Sequence, residues 1–524
     1  MPLLAAFLAI PTGERYPPIA LTAMQQRRQT LAALLDQLEA LAQRQPVLLV
    51  FEDVHWADPT SIELLDLVVE RIRRLAILTL ITFRPEFEPS WAGLANVGAL
   101  TLQRLGPRDV QAIVAGVADG RTLPSEVMEQ IVSKADGVPL FIEELTKAIL
   151  ESGLLTKDES SYQLSGPLPL LAIPLTLQDS LMARLDRLGP AKEIAQIGAA
   201  IGREFPYDLL RAVARIDDTA LRDALDRLEA AELASSRGKP PKAVYTFKHA
   251  LVQDAAYGTM LRGPRRALHA RIADTLESQF AEIAENQPEL LARHCTDAGL
   301  IEKAALLWGK AGQRSVERSA LVEGAAQLTR ALDQIATLPS TPALRRDEIK
   351  LQVALITPLI HVRGYAAPET KAAAERARVL IQQAEALGDP LEDPLLLFSV
   401  LWAAFTTTIV ESNGHAARKL AAQFLALAED HGTTVMLPLA FRIIGMSLVL
   451  TGHIAESREY LDRAIALYDP VVHRPLATRF GQDLGVAALS YRSRTLWMLG
   501  YPRRHSPTPT RRLARRAKSA KPQL

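Results

Sequence analysis

The chain has 524 residues, a net charge of +1 and 48% hydrophobic residues, which is enough apolar material for about three or four domains with buried cores. No apolar run in the sequence approaches the ~20 residues needed to cross a bilayer. The single cysteine, Cys295, excludes an internal disulfide framework and a cysteine-rich metal site. One cysteine fits a reducing cytosol, and aromatic residues of only 5% favour packed helices, so we expect a mainly helical, cytoplasmic protein.

The first predicted elements are a strand, a helix and a second strand. Residues 47–51 form a continuous apolar run, which is typical of a parallel strand covered by helices on both faces. Asp58 and Pro59 fit the N-cap and the first position of a helix. A second apolar run follows at residues 77–81. This order predicts an α/β unit with a parallel sheet.

Charged side chains follow both predicted strands. Glu52 and Asp53 come directly after the first strand, at the carboxyl edge where open α/β sheets place their ligands. They are either a solvated or capping pair, or a phosphoryl-transfer pair in which one carboxylate holds Mg²⁺ and the other orients an attacking water. Arg84, after the second strand, is either a sensor of a terminal phosphate or an exposed ion-pair partner.

The rest of the chain is predicted to be mostly helical. Three short helices are expected between residues 107 and 152, followed by a polar, proline-rich connector over residues 157–174. Amphipathic helices between residues 177 and 231 lead to a small β-wing over residues 233–247. The pattern therefore predicts a second folded region that contains a small sheet.

From about Asn286 onward, amphipathic helices alternate with short turns and carry small residues where helices must pack closely. Such hairpins are typical of tetratricopeptide-like repeats, which stack into a superhelix with a concave surface for a protein partner. Trp308, Trp402 and Trp497 each lie within an apolar helical face, which predicts that all three are buried in the core of the repeats.

The run LLVFEDVHWADPTSIELL, followed by TFRPEF and DGVPLFIEELTKAIL, resembles the Walker B, sensor and Gly-x-Pro segments of bacterial signal-transduction ATPases with numerous domains. It is more closely similar to the ATPase and tetratricopeptide portion found downstream of class III adenylate/guanylate cyclase domains. The resemblance covers roughly residues 1–502. It implies an α/β N-terminal remnant of a P-loop ATPase of the AAA type, followed by a mostly α region with a winged helix and helical repeats.

The resemblance also implies roles for single residues. Glu52 matches the Mg²⁺ carboxylate, and Asp53 matches the catalytic, water-orienting carboxylate on the same ion. Arg84 matches the sensor and Pro139 the residue beside the adenine. His249, in YTFKHALVQDAAYGTML, matches a histidine that faces the nucleotide phosphates in the closed state, with a purely structural hydrogen-bonding role as the alternative.

These observations together predict the domain boundaries. They are a partial ATPase domain with a helical lid at 1–152, a linker at 153–176, a winged-helix-like domain at 177–285, tetratricopeptide-like repeats at 286–502 and a basic disordered tail at 503–524. The tail carries eight basic and no acidic side chains, so the rest of the chain has a net charge of −7. In the family another amphipathic helix follows at this point, so the resemblance implies out-of-frame translation, with a disordered basic binding tail as the alternative.

The sequence contains no phosphate-binding loop of the form GxxxxGK[ST], because neither Gly238-Lys239 nor Gly309-Lys310 has the required glycine or Ser/Thr neighbours. In the family a central strand feeds this loop, and the last strand of the sheet would be residues 99–102. We therefore expect the chain to begin inside the ATPase domain and to leave strand edges unpaired. Binding of ATP or ADP with Mg²⁺ is expected to be weak or absent, and hydrolysis negligible.

Three functions stay open at this stage. The first is part of a nucleotide-gated signalling ATPase that controls a cyclase or another effector. The second is a helical-repeat interaction scaffold in which the ATPase domain is vestigial, and the third is part of an ATPase-type transcription regulator. A protein partner is expected on the concave surface of the repeats, whereas membrane and nucleic-acid partners are not expected.

Overall fold

The computed structural model describes residues 2–7, 10, 23–158, 160–165, 176–389, 393, 395–430 and 433–501. The chain forms two compact units, Met1–Asn96 with Ile301–Leu524, and Val97–Leu300. Helices dominate both units and the sheets are small, as the composition predicted. No helix among the described residues has the length and apolar character needed to span a membrane. The predicted basic tail at 503–524 and residues 166–175 of the predicted linker lie outside the described residues.

The first unit begins with an α/β part. Its elements are α1 (Pro2–Phe7), α2 (Ala23–Ala42), β1 (Val47–Phe51), α3 (Pro59–Arg71) and β2 (Ile77–Ile81). Strands β1 and β2 are parallel neighbours in a register that pairs Val47 with Ile77 and Phe51 with Ile81. The predicted strand–helix–strand order and the parallel sheet are therefore confirmed.

One face of the β1–β2 pair is exposed, which the sequence did not predict. Alternate side chains along the two strands are open to solvent, with exposures of 61% for Leu48, 50% for Val50, 61% for Leu78 and 49% for Leu80. The intervening residues are partly buried. The expectation that helices cover both faces is wrong for the described residues, because successive side chains of a strand point to opposite faces and one set has no cover.

The predicted last strand at residues 99–102 is also wrong. These residues adopt no strand conformation, and Leu100 and Leu102 are 85% and 86% exposed. They fall in the second unit, whereas β1 and β2 belong to the first. Within the described chain they find no neighbouring strand to satisfy their backbone N–H and C=O groups.

The second unit is helical and has two small antiparallel sheets. Its helices are α4 (Pro107–Val117), α5 (Ser125–Ala135), α6 (Pro139–Leu150), α7 (Leu177–Arg187), α8 (Pro190–Ile201), α9 (Tyr207–Ala214), α10 (Asp218–Ala230), α11 (Ala250–Gly258), α12 (Arg262–Gln279), α13 (Ala281–Asn286) and α14 (Pro288–Ala298). Its strands are β3 (Leu155–Lys157), β4 (Tyr162–Leu164), β5 (Glu204–Pro206), β6 (Ala234–Arg237) and β7 (Val244–Phe247). Strand β3 pairs with β4, and the other sheet has the order β5-β7-β6.

Most elements of this unit match their predicted positions. The three helices expected before residue 152 and the helices expected between residues 177 and 231 are present, as are both strands of the predicted wing. Strands β3 and β4 form a hairpin at the start of the predicted linker at 153–176, where the sequence predicted no strand. Strands of three residues are too short to show the alternation that identifies a strand in a sequence.

A buried ion pair joins α6 to α7. Glu144 and Arg184 are each 3% exposed and form a salt bridge. Ser180 Oγ donates to the backbone oxygen of Glu144 at 3.2 Å, and Arg184 Nη2 donates to the backbone oxygen of Ala231, just after α10, at 2.6 Å. Because both charges have partners, the burial of this pair fixes the packing of α6 on α7 and on the end of α10.

The remainder of the first unit is a series of helices. They are α15 (Ile301–Glu317), α16 (Leu321–Ile335), α17 (Pro342–Arg363), α18 (Pro368–Ala386), α19 (Leu395–Val410), α20 (Gly414–Asp430), α21 (Leu437–Leu450), α22 (Ile454–Leu467), α23 (Pro470–His473), α24 (Ala477–Phe480) and α25 (Leu484–Met498). Small residues lie where these helices approach closely, as predicted. A Cβ atom on Gly312 of α15 would lie 2.6 Å from Cγ of Leu328 on α16.

The tryptophan predictions hold for two of three residues. Trp308 is 7% exposed and Trp402 is 2% exposed, so both belong to the core of the helical series. The prediction for Trp497 is wrong, because this side chain is 62% exposed near the end of α25. In the described part of the chain no later helix packs on that face of α25.

Gly137 is predicted to tolerate no side chain. Its φ is +69°, and a Cβ atom there would lie 2.5 Å from the backbone oxygen of Leu105, whose N–H donates to the Gly137 oxygen at 2.8 Å. We expect Gly137→Ala to lower the free energy of unfolding, measured by urea denaturation, by about 3 kcal/mol, because left-handed backbone strain adds to a steric clash. Gly120→Ala is the matched control: φ is +76° with open space around it, so the loss should be about 1 kcal/mol. Equal losses would contradict the prediction.

Candidate functional site

The acidic pair lies at the carboxyl end of β1, as predicted. Glu52 is exposed and Asp53 is half-buried. Asp53 adopts a left-handed backbone conformation with φ 54° and ψ 42°, which aspartate tolerates better than most residues do. The chain then turns into a short 3-10 helix at Val54–Trp56. The two carboxylates therefore stand at the start of the loop that connects β1 to α3.

Thr82, the residue after β2, fixes this turn. Its hydroxyl oxygen accepts a hydrogen bond from the Asp53 N–H at 2.9 Å, and its carbonyl oxygen accepts one from the Val54 N–H at 3.0 Å. The Thr82 N–H donates to the Phe51 oxygen at 2.9 Å. The backbone of Asp53 is thus positioned by the neighbouring strand as well as by its own.

Arg84 lies on the same edge. Its guanidinium carbon is 5.3 Å from the centre of the Trp56 ring, which is a cation–π contact. Both side chains are exposed. Because Trp56 belongs to the loop that Asp53 begins, the structure brings Glu52, Asp53 and Arg84 to one edge of the two strands. Two carboxylates and a cation at that edge are the groups that a Mg²⁺-bound phosphate would need.

Asp58 is committed to the helix that follows. Its carboxylate accepts hydrogen bonds from the Ser61 N–H at 2.9 Å and from the Ser61 hydroxyl at 2.6 Å, so the predicted N-cap of α3 is confirmed. Burial opposes ionisation of Asp58, but the hydrogen bonds from Ser61 outweigh it and lower its pKa. Asp58 is therefore a capping residue rather than a third member of the acidic pair.

The first turn of α3 is also held from the helical series. Glu323, in the first turn of α16, accepts hydrogen bonds from the Thr60 N–H at 3.0 Å and from the Thr60 hydroxyl at 2.6 Å through Oε1. Arg27 of α2 donates to the same Thr60 hydroxyl at 3.2 Å and forms a salt bridge with Glu63. The α-helical N-terminus nearest the acidic pair is therefore attached to α16 by a carboxylate.

Pro139 and His249 belong to the second unit, whereas the three residues of the β1–β2 edge belong to the first. Pro139 is the exposed first residue of α6, and His249 is the half-buried residue before α11. Lys147 of α6 pairs with Glu143 at 2.7 Å and with Glu232. The pKa of Glu143 is lowered chiefly by the hydrogen bond from Lys147.

The donor set at the β1 edge fits one kind of metal site. Among the described residues there is no group of three or more His, Cys, Asp or Glu side chains that could hold a metal ion. Mg²⁺ needs fewer protein ligands, because it keeps several waters and takes one or two carboxylates together with substrate phosphates. Glu52 and Asp53 therefore fit a hydrated Mg²⁺ that arrives with a nucleotide.

Sequence reasoning missed two residues of this site. Thr82 carries a readable signal, because a hydroxyl residue that closes an apolar strand lies where it reaches the neighbouring loop. Glu323 carries none, because it lies 263 residues from Thr60 and nothing in its local pattern indicates the contact. Trp56 was part of the quoted motif but was given no role.

Comparison with known proteins gives one sequence relative and one solved structure to report. No protein-family model matches the chain. An uncharacterized protein of Rhizobium meliloti is 28% identical over 487 residues, which are 90% of this chain and 45% of the relative, so the chain spans less than half of that protein. A crystal structure of a Signal Transduction ATPase with Numerous Domains (STAND) protein with a tetratricopeptide repeat sensor, from Pyrococcus horikoshii, is 13% identical with a TM-score of 0.35; the match covers 90% of this chain and 68% of the other. A likeness of this size does not establish a common fold.

The cap of α3 makes a pH-dependent contribution to stability. We expect Asp58→Ala to lower the free energy of unfolding by about 1 kcal/mol near neutral pH, because two donors of Ser61 lose their acceptor. Since the folded-state pKa of Asp58 lies below its ordinary value of 3.8, the charge stabilises the fold fully above that pH and the effect is lost as the pH falls through the folded-state pKa.

The measurement is the difference in Tm between wild type and Asp58→Ala over a pH series. This difference in Tm should become smaller as the pH is lowered. Asp58→Asn is the control, because asparagine is an equally good N-cap without the charge. A difference that widens as the pH falls would contradict the lowered pKa.

Proposed function

We propose that this chain is part of a nucleotide-dependent signal-transduction ATPase with numerous domains, of the kind associated with adenylate/guanylate cyclases. The observation that carries the proposal is the β1–β2 edge, where Glu52 and Asp53 follow β1 in a loop fixed by Thr82, and Arg84 follows β2 and contacts Trp56 of that loop. The motif resemblance of the sequence supports the same assignment.

In this proposal each residue of the edge has one task. Glu52, which is exposed, would hold Mg²⁺ through water, and Asp53 would share that ion and orient a water toward the terminal phosphate. Arg84, which follows the neighbouring strand, would supply the positive charge for that phosphate. Mg²⁺, when bound, neutralises part of the phosphate charge. The sequence has no GxxxxGK[ST] loop to hold the other side of the phosphates, so the chain binds nucleotide weakly and does not hydrolyse it by itself.

The hydrogen bonds between Thr60 and Glu323 connect the helix next to this edge with the helical series. Thr60 is in the first turn of the helix that begins just after the acidic loop, and Glu323 is in the first turn of α16. A carboxylate on the N-terminus of a helix is favourable, because the free N–H groups there carry partial positive charge. A nucleotide that moves the loop therefore changes the position of a group bonded to α16.

The second unit has the remaining roles in this proposal. The three-stranded sheet with α8, α9 and α10 acts as a winged-helix relay, and α4 to α6 act as the lid. The roles that the resemblance implies for Pro139, beside the adenine, and for His249, at the phosphates, belong to the same proposal. The domain boundaries proposed from the sequence, and a protein partner on tetratricopeptide-like repeats at 286–502, belong to the same proposal.

A helical-repeat scaffold with a vestigial ATPase domain is the second candidate. The observation that favours it is the missing phosphate loop, without which the carboxylates act on a poorly held nucleotide. The two candidates differ in one measurable property, which is whether Mg²⁺ and nucleotide together stabilise the chain.

Nucleotide binding at the β1 edge is tested by thermal unfolding. With millimolar Mg²⁺ and ATP or ADP, we expect a small rise in Tm that needs both the ion and the nucleotide, because a ligand that binds the folded state stabilises it by mass action. Asp53→Asn and Glu52→Gln should abolish the rise. Asp58→Asn is the matched control on the same loop and should keep it, since Asp58 is committed to Ser61.

Phosphate release measured in parallel should stay at the background rate. No rise in Tm at saturating nucleotide would favour the scaffold. A magnesium-dependent turnover that Asp53→Ala removes would show that the chain hydrolyses ATP, against the proposal.

The contact of Glu323 with Thr60 is predicted to protect the start of α3. In Glu323→Gln a neutral amide replaces the carboxylate, so the hydrogen bonds to the Thr60 N–H and hydroxyl weaken by about 1 kcal/mol. Hydrogen exchange, followed by mass spectrometry, should accelerate in the peptide that covers residues 59–63. The exposed Glu302 of α15 supplies the control, and Glu302→Gln should leave exchange there unchanged. Unaltered exchange in Glu323→Gln would exclude the coupling.

A further inference from the structure

Arg442 of α21 is a buried cation without an acceptor. Its side chain is 0% exposed, and Nε, Nη1 and Nη2 all lack a hydrogen-bond partner among the described residues. Burial lowers the pKa of Arg442 to about 10, so the guanidinium stays protonated at neutral pH. An unpaired charge in a protein interior is costly, because burial removes the water that would solvate it. A negatively charged group bound to the Arg442 guanidinium would offset this cost.

A second unpaired donor lies beside the guanidinium. The Arg442 Cζ atom is 4.6 Å from the centre of the Trp402 indole of α19. Trp402 is 2% exposed, and its Nε1 atom also has no hydrogen-bond partner within the described chain. The ring face attracts the cation, but it leaves the guanidinium N–H groups and the indole N–H without an oxygen acceptor. The two side chains together form a buried set that has donors and no acceptors.

The nearby polar groups supply no hydrogen-bond acceptor to Arg442. The charge of Asp483 acts on Arg442, but no nitrogen of Arg442 has a hydrogen-bond partner in the part of the chain that the structure describes, and the Asp483 oxygens accept hydrogen bonds from the Tyr468 hydroxyl at 2.8 Å and from the Val486 N–H at 2.9 Å. The other groups that act on Arg442 are Tyr365 and Tyr491, which offer hydroxyls rather than carboxylates. Both tyrosines are partly exposed.

We propose that Arg442 and Trp402 bind a carboxylate group in the interior between α19 and α21. The planar fork of a guanidinium matches the two oxygens of a carboxylate, and charge-assisted hydrogen bonds of this kind are strong. The indole N–H adds a third donor. The ligand is either a free small carboxylate or the carboxylate of a peptide that docks on the helical series. This site is independent of the β1 edge and of nucleotide.

The full chain is tested by thermal unfolding in sodium acetate and in sodium chloride of the same ionic strength. The wild type should show a saturable rise in Tm in acetate that chloride does not reproduce. Arg442→Met should lose the acetate response, and its Tm without acetate should be no lower than that of the wild type, because an unpaired buried charge has been removed. Equal responses of the wild type to acetate and chloride, or an acetate response that persists in Arg442→Met, would overturn the proposal.

Arg463 supplies the matched control, because it stacks on Phe441 with 4.0 Å between its Cζ atom and the ring centre but is exposed. Arg463→Met should keep the full acetate response. Trp402→Phe keeps an aromatic ring and removes the N–H; it should bind acetate about tenfold more weakly, as the loss of one hydrogen bond to a charged group implies. If Arg442→Met does not fold, the acetate and chloride series of the wild type and of Trp402→Phe decide the question.

The two sources of the carboxylate are separated with trialanine. If the peptide with a free carboxyl terminus raises the wild-type Tm at lower concentration than acetate does, and the amidated peptide has no effect, the carboxylate belongs to a docked peptide. A response to acetate alone assigns a free small carboxylate. A response to the amidated peptide equal to that of the free peptide counts against carboxylate recognition.

Discussion

The parallel pairing of β1 with β2 in one register is the constraint on which the rest of the candidate site depends. Because Phe51 pairs with Ile81, the two strands end at the same level and the next residue of β2 reaches the loop after β1. Thr82 then binds the Asp53 N–H with its hydroxyl. A slip of one residue would turn every side chain of a strand to the other face and would remove this contact.

The secondary-structure elements of this arrangement could be predicted from the sequence. How far other elements cover the two strands could not. The strand at 47–51, the strand at 77–81 and the cap at Asp58 follow from short-range signals that the backbone obeys wherever the chain lies. An apolar run does not say what packs on it. Leu48 was therefore predicted to be buried and is 61% exposed, as is Leu78 on the neighbouring strand, and the residues expected to form a strand at 99–102 form none.

The same distinction applies to the site. The acidic residues and Arg84 were assigned to one edge because parallel strands end together, and the structure places them there. The attachment of Thr60 to Glu323 joins residues 263 positions apart, and a single sequence has no local pattern for such a pair. Trp402 is buried and Trp497 is exposed for a similar reason, although both lie on apolar helical faces. Helices α21 and α24 pack against Trp402, whereas no described helix follows α25 to cover Trp497.

Two buried arginines show how differently the chain handles interior charge. Arg184 reaches the carboxylate of Glu144 and a backbone oxygen, so its burial is compensated within the chain and stabilises one packing of three helices. Arg442 is buried still more completely and stacks on an indole, yet none of its nitrogens has an acceptor in the described chain. A methionine would fill much of that volume without the cost of desolvating a charge. Stability alone therefore favours an apolar residue at position 442, and a guanidinium there is explained by what it binds.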